Sequence, residues 1–93
     1  MKQVSEVLRS GSATVVDVRT PAEFMGGNVA GSINIPLNEV PAMLSELKGM
    51  GTVVVCCASG MRSASAASFL KANGIDCYDG GPWTQVNYYV NNN

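Results

Sequence analysis

Apolar residues follow two different spacings along this chain, and the two spacings alternate. Short runs rich in β-branched residues, such as Thr14–Val18 and Val53–Val55, predict strands that are buried on both faces. Between these runs, apolar residues recur at intervals of three and four, as on a helix with one buried face. The pattern predicts strands at Thr14–Val18, Ser32–Ile35, Thr52–Cys56 and Ile75–Tyr78, and helices at Val4–Ser10, after Thr20, after Asn38, at Arg62–Asn73 and at Pro82–Val90.

This alternation of strands and helices predicts an α/β fold. Right-handed crossovers would build a small parallel sheet of four or five strands with helices on both faces. Ligands of such sheets bind at the carboxyl ends of the strands. Three segments that carry polar or glycine residues follow strands, and we expect them to converge there: Asp17-Val18-Arg19, Cys57–Arg62 and Asp79-Gly80-Gly81.

Local signals predict where several helices begin and which faces they bury. Thr20-Pro21-Ala22-Glu23 is a capping box with proline in the first turn, and the helix it starts should turn Phe24 inward. After Asn38, which can cap a helix, apolar residues at i, i+3, i+4 and i+7 predict one continuous helix. The residues with this spacing are Val40, Met43, Leu44 and Leu47, and the expected inner face of the next helix is Ala66, Phe69 and Leu70.

The stretch from Thr52 to Ser65 carries the strongest chemical signal. A buried strand leads into Cys57, then Ala58, Ser59 and Gly60 turn the chain, and a helix begins near Arg62. Free backbone N–H groups and the helix dipole of such a turn favour an anion. We therefore predict that Cys57 is a nucleophile whose pKa lies below the free value of ~8.5. Arg62 adds a permanent charge and a planar fork of donors that suit a sulfonate or phosphate.

The remaining polar and sulfur-containing residues have simpler expected roles. Cys56 and Cys77 continue apolar strands and are predicted to be core thiols. Asp17 is expected to hold Arg19 or the loop backbone in place behind the site, and the alternative is an exposed surface pair. Asn28 should bond to nearby backbone. Gly80-Gly81 predicts a tight turn with positive φ, and Trp83 is expected to be a hydrophobic lid or core residue.

Composition excludes several classes of function. With 93 residues, 46% of them hydrophobic and 14% charged, the chain is expected to form one globular domain over residues 1–93. A net charge of −1 without a basic cluster gives nucleic-acid binding no support. No apolar run approaches the ~18 residues of a membrane span. The absence of histidine removes the commonest general base and metal ligand, so we expect no metal.

Cysteine content indicates the redox environment. The three cysteines match neither a zinc site nor a disulfide framework, which favours a reducing compartment or a guarded thiol. We therefore expect a cytoplasmic protein, or a periplasmic one if a signal peptide has been removed.

Four motifs in order make the chain similar to the rhodanese-like sulfurtransferases of the single-domain type. D-V-R-T-P-A-E-F at Asp17–Phe24 resembles the first signature of that family, and G-N-V-A-G-S-I-N-I-P at Gly27–Pro36 resembles the second. C-A-S-G-M-R-S at Cys57–Ser63 resembles the active-site loop, and D-G-G-P-W at Asp79–Trp83 the glycine-pair motif. The chain departs from the family in having Asn28 where histidine is usual, and Met1–Arg9 leaves little room for the short first strand of many such domains.

The resemblance implies a rhodanese-like fold and transfer of sulfane sulfur by double displacement. Cys57 would take sulfur from thiosulfate or a persulfide donor, and a thiol, or cyanide in an assay, would accept it. The bound sulfur would lie among the residues that follow Cys57, namely Ala58, Ser59, Gly60, Met61, Arg62 and Ser63. No cofactor is expected. The expected partners are a small-molecule donor and a thiol acceptor, with a protein thiol as an alternative acceptor, and the expected state is a monomer.

Two alternatives remain open at this stage. A non-catalytic persulfide carrier or partner-binding module needs the same loop as a turnover enzyme. A cysteine-based phosphatase or arsenate reductase uses the same strand, loop and helix, but the similar phosphatase signature has five residues between cysteine and arginine. This chain has four, from Ala58 to Met61.

Overall fold

The computed structural model describes residues 3–92, in which four strands alternate with five α-helices. The strands are β1 (Thr14–Asp17), β2 (Ile33–Asn34), β3 (Val53–Cys57) and β4 (Cys77–Pro82), and the helices are α1 (Val4–Arg9), α2 (Pro21–Met25), α3 (Leu44–Lys48), α4 (Met61–Ala72) and α5 (Trp83–Asn91). Two short 3-10 turns, Leu37–Glu39 and Pro41–Met43, precede α3. None of the described helices is long and apolar enough to cross a membrane.

The strands form one sheet in the order β2-β1-β3-β4, and every pairing in it is parallel. β3 lies inside the sheet and all five of its residues are buried, as its run of valines predicts. One cluster of buried residues covers one face of the sheet and a second cluster covers the other. The first includes Leu47 of α3 and Leu70 of α4, and the second includes Leu8 of α1 and Val86 of α5. The predicted α/β fold is thus confirmed.

The predicted continuous helix after Asn38 is wrong. The chain instead makes two 3-10 turns before α3 begins at Leu44. The cause is Pro41, which has no N–H to donate to the carbonyl of Leu37, so the α-helical ladder cannot pass through it. The Val40 amide bonds to the Leu37 carbonyl instead, in the tighter i to i+3 pattern.

Two aromatic residues are less buried than the sequence predicts. The inner face of α4 is formed by Ser63, Ala66, Ala67 and Leu70, whereas Phe69 remains 36% exposed. Small residues on that face let the helix lie close to β3 and β4. Phe24 in α2 is only partly buried and belongs to neither core cluster.

The last strand differs most from the prediction. β4 begins at Cys77 rather than Ile75 and continues through Asp79-Gly80-Gly81, which was expected to be a turn. A register shift beside β3 accommodates the pair: Val55 faces Asp79, whereas Cys57 faces Pro82. Gly81 has the expected positive φ of 72°. Gly80 is required for space, because a Cβ there would lie 2.8 Å from the Val55 carbonyl oxygen.

Candidate active site

Cys57 is the last residue of β3, and the loop that follows it folds back over its sulfur. Gly60 has a φ of 106°, a left-handed conformation that suits glycine, and it directly precedes α4. This turn directs the Gly60 amide at Sγ of Cys57 with a nitrogen–sulfur distance of 3.0 Å. The Ser63 amide donates to the same sulfur over 3.3 Å. Two N–H groups therefore converge on one buried thiol.

The Ser63 side chain completes the surroundings of the sulfur. Its Oγ lies 3.5 Å from Sγ of Cys57 and accepts the thiol hydrogen, while its own hydroxyl donates to the Gly60 carbonyl over 3.1 Å. When the thiol loses its proton, the same hydroxyl can rotate and donate to the thiolate. Ser63 is fully buried, so water does not compete for this bond.

These hydrogen bonds separate Cys57 from the other two cysteines. Burial acts to raise the pKa of Cys57, but bonds from the Ser63 hydroxyl and from the backbone amides of Ser63, Gly60 and Arg62 outweigh it and leave the pKa lowered. Burial instead raises the pKa of Cys56 to about 12 and that of Cys77 to about 11. All three thiols are buried and free, as expected for Cys56 and Cys77. Only Cys57 has surroundings that favour its thiolate.

Arg62 does not stand free beside the loop. Its Nη1 lies 2.7 Å from Oε1 of Glu23 in α2, and its Nη2 lies 3.0 Å from Oε2. This bidentate pair joins the first turns of α2 and α4. Glu23 is the residue of this site that sequence reasoning missed. Its only signal was the capping box, which the structure confirms: Oε1 also accepts the Thr20 amide over 3.0 Å.

Bonds from Arg62 and then Thr20 lower the pKa of Glu23 to about 2. The ordinary value is 4.5, so folding favours the ionised form. Any stability that the pair contributes is therefore present above pH 4.5 and is lost as the pH falls toward 2. Both side chains are about one-third exposed, and solvent weakens the pair.

Asp17 and Arg19 form a buried ion pair, so the surface alternative is wrong. Asp17 is fully buried and Arg19 is 5% exposed. Nη2 of Arg19 lies 2.7 Å from Oδ2 of Asp17, and Nε contacts both carboxylate oxygens at 3.0 Å. Arg19 also donates to the Gly27 carbonyl over 2.7 Å and lies 4.8 Å from the Trp83 ring centroid. The pair thus connects β1 to the end of α2 and the start of α5.

The three expected segments converge only in part. A Cβ on Gly60 would lie 3.9 Å from Cα of Gly81. The loop Cys57–Arg62, called the Cys57 loop below, and the glycine pair Gly80-Gly81 are therefore neighbours. The Asp79 carboxylate bonds within its own segment, where Oδ1 accepts the Gly81 amide. Within residues 3–92, no hydrogen bond joins the Asp17 or Arg19 side chain to the Cys57 loop.

The other candidate residues of the loop lie on its outer side. Ala58 and Ser59 are exposed, and Met61 is 80% exposed beside the half-buried Arg62.

Two further residues from the sequence analysis lie outside the loop. Asn28 donates to the Phe24 carbonyl over 2.9 Å, which is the local backbone bond that the sequence predicts. Trp83 is partly buried against the second core cluster, and its ring lies 3.2 Å from where a Cβ of Gly27 would be.

Replacing Ser63 by alanine should make Cys57 less acidic. The hydroxyl is the largest favourable contribution to the lowered pKa, and alanine removes it without adding bulk. We expect the alkylation rate of Cys57 by iodoacetamide at pH 7 to fall about fivefold, as for the loss of one hydrogen bond. The pH midpoint of alkylation should move upward. Ser65→Ala on the exposed side of α4 is the control. An equal effect there would contradict the role of the Ser63 hydroxyl in lowering the pKa of Cys57.

Comparisons with known proteins agree with the four motifs found in the sequence. A family model described as a rhodanese-like domain matches residues 1–83. A thiosulfate sulfurtransferase of Ectopseudomonas mendocina is 32% identical over 82 residues, which cover 85% of this chain and 75% of that protein. A sulfurtransferase of Allochromatium vinosum is 37% identical over 60 residues, which cover 64% of this chain and 56% of that protein. The match covers 56% of the length of two such curated relatives and less than half of the length of two others.

The fold also matches a solved structure. The crystal structure of a rhodanese-related protein from Thermoplasma volcanium has a TM-score of 0.78 and 35% sequence identity. The match covers 90% of this chain and 86% of that one.

Proposed function

Because this chain belongs to the rhodanese-like domain family, we propose that it is a sulfurtransferase that works through a persulfide on Cys57. The observation that carries the proposal is the convergence of the Gly60 and Ser63 amides on Sγ of Cys57. These donors favour a thiolate, which is the nucleophilic form of cysteine. Cys56 and Cys77 have raised pKa values and remain protonated thiols at neutral pH.

The proposed reaction has two displacement steps. The Cys57 thiolate attacks the sulfane sulfur of thiosulfate or of an organic persulfide. A bond forms between Sγ and that sulfur, the donor sulfur–sulfur bond breaks, and its electron pair leaves with sulfite or an alkyl thiolate. An acceptor thiolate or cyanide then attacks the outer sulfur, and the electron pair returns to Sγ. Splitting the transfer in this way replaces one difficult step by two easier ones.

The loop would hold the intermediate as well as the thiolate. Backbone amides in the segment from Ala58 to Arg62 and the amino end of α4 form a nest suited to a negatively charged outer sulfur. These groups are held in place before reaction, so stabilising the charge requires little reorganisation. The same cradle serves a persulfide carrier, which would stop after the first step.

Intact-mass spectrometry of the reduced protein after mixing with a sulfane donor tests this function. We expect the mass of one added sulfur atom, assigned to Cys57 by peptide mapping and removed when a thiol acceptor is added. Multiple turnovers with the acceptor would identify an enzyme, whereas a single discharge would identify a carrier. Sulfur found on Cys56 or Cys77 instead would contradict the proposal.

Phosphoryl chemistry should be absent. The Gly60 and Ser63 amides already lie within 3.0–3.3 Å of Sγ, so the loop curls tightly around the sulfur. One extra sulfur atom needs less room than the three equatorial oxygens of a phosphoryl group. We expect hydrolysis of an aryl phosphate no faster than in Cys57→Ser, measured on the preparation that accepts sulfur. Hydrolysis that depends on Cys57 would instead support the phosphatase alternative.

A further inference from the structure

The cation of the Cys57 loop is paired with a carboxylate from another helix. Arg62 is the only charged residue between Cys57 and Ser65, and both of its terminal nitrogens contact Glu23. Glu23 first and Cys57 to a lesser extent raise the pKa of Arg62, so the guanidinium is electrostatically coupled to both. The carboxylate therefore cancels part of the attraction that Arg62 would otherwise exert on an anion near the sulfur.

No other cation of residues 3–92 compensates for this loss. Arg9, Lys48 and Lys71 lie in the last turns of the helices that precede β1, β3 and β4, so they are at the amino ends of the strands, away from Cys57. Arg19 lies at the carboxyl ends but is paired with Asp17.

Acidic residues outnumber basic ones at the edge of the sheet that carries Cys57. Glu39 follows β2 and Asp79 lies in β4 opposite Val55, and both are exposed. Since Glu23 and Asp17 occupy the two arginines, this edge has no excess positive charge to offer a substrate.

Sulfane donors differ in how much they depend on such a charge. Thiosulfate carries two negative charges, so a thiolate that attacks it gathers three negative charges in one place. An organic persulfide carries at most one charge on its reacting sulfurs. A site without free positive charge thus penalises thiosulfate more than a persulfide.

We propose that Glu23 is a specificity-determining residue that, by occupying Arg62, makes the site favour sulfane donors of low charge, such as organic persulfides, over thiosulfate. The inference rests on the proposed function of Cys57. In the favoured reaction, the Cys57 thiolate attacks the terminal sulfur of the persulfide, the donor sulfur–sulfur bond breaks, and the alkyl thiolate leaves with the electron pair. The transferred sulfur keeps its hydrogen, and no oxidant or reductant is consumed.

Glu23→Gln isolates the charge from the fold. Glutamine retains an oxygen that can accept the Thr20 amide, as the capping box allows, but it cannot neutralise Arg62. The probes are thiosulfate and methanethiosulfonate, two sulfane donors of similar shape that carry two charges and one charge. Rates of Cys57 persulfide formation are measured by mass spectrometry for both donors on the same preparation. Partial unfolding of the variant therefore cancels in their ratio.

We expect the thiosulfate rate of Glu23→Gln to rise about fivefold relative to its methanethiosulfonate rate, with a smaller rise at high salt. Glu39→Gln is the matched control, because it removes the same charge from the same edge and makes no side-chain bond to Arg62. An unchanged donor ratio in Glu23→Gln, or an equal change in Glu39→Gln, would overturn the role of Glu23. Failure of the unaltered protein with both donors would instead overturn the persulfide function itself.

Discussion

Cys57→Ser is expected to abolish sulfur transfer. A serine hydroxyl is not ionised at neutral pH, so the two amides and the Ser63 side chain would surround a poor nucleophile. We expect the transfer rate to fall at least about a thousandfold, the loss that is typical when an enzyme's nucleophile is removed. Mass spectrometry should detect no added sulfur in the variant, and a steady-state assay with a thiol acceptor should show no turnover above the uncatalysed rate.

Two matched variants make this result specific to Cys57. Cys56→Ala and Cys77→Ala remove thiols that burial keeps protonated, and neither sulfur contacts the Cys57 loop through a hydrogen bond. Both variants should retain transfer within a few-fold while losing some stability, because each leaves a small cavity in the core. Activity that survives in Cys57→Ser, or that disappears in Cys56→Ala without unfolding, would refute the assignment.

The sequence predicts the Cys57 loop well because its signals are local. The buried run from Val53, the turn residues and the helix start are contiguous, so they place the thiol at a helix N-terminus whatever the rest of the chain does. The lowered pKa follows from the same arrangement. The raised pKa values of Cys56 and Cys77 likewise follow from apolar strands.

Contacts between distant segments could not be predicted in this way. Glu23 and Arg62 are 39 positions apart, and each has a sufficient local explanation without the other. The Glu23 carboxylate completes a capping box, and Arg62 lies in the first turn of a helix. Only the tertiary packing of the chain brings the first turns of α2 and α4 together, and no periodicity in the sequence encodes that contact. The close approach at Gly80 was hidden for the same reason, since it depends on Val86 of α5 and the β3 backbone.

The sequence predicted that Asp17 holds Arg19 or the loop backbone behind the site, but it could not show how deeply the Asp17–Arg19 pair is buried. Charged residues are rarely buried unless they are paired. The residues next to Asp17 and Arg19 in the sequence do not reveal which other groups will surround the guanidinium in the fold. In the structure, Arg19 has three kinds of partner: the Asp17 carboxylate, the carbonyls of Glu23 and Gly27, and the Trp83 ring. These bonds hold the segment that carries Glu23, so the pair supports the site without touching Cys57.

Asp17→Asn should therefore be among the most destabilising single substitutions in this chain. Asparagine keeps the size of the side chain but leaves the buried Arg19 charge without its counterion, a change that typically costs about 3–5 kcal/mol. A small domain has only about 5–15 kcal/mol of stability in total. Denaturant unfolding should show a lower midpoint with an unchanged slope.

The double variant Asp17→Asn with Arg19→Met shows whether the unpaired charge is the cause. Removing Arg19 as well eliminates the uncompensated cation, so the double variant should be more stable than the sum of the two single losses predicts. For residues in direct contact, the coupling is typically about 0.5–3 kcal/mol. Strictly additive losses would show that Asp17 acts through its bond to the Arg19 amide rather than through charge. Because Arg19 also holds the Gly27 carbonyl, Arg19→Met should loosen the end of α2 and weaken the contact between Glu23 and Arg62.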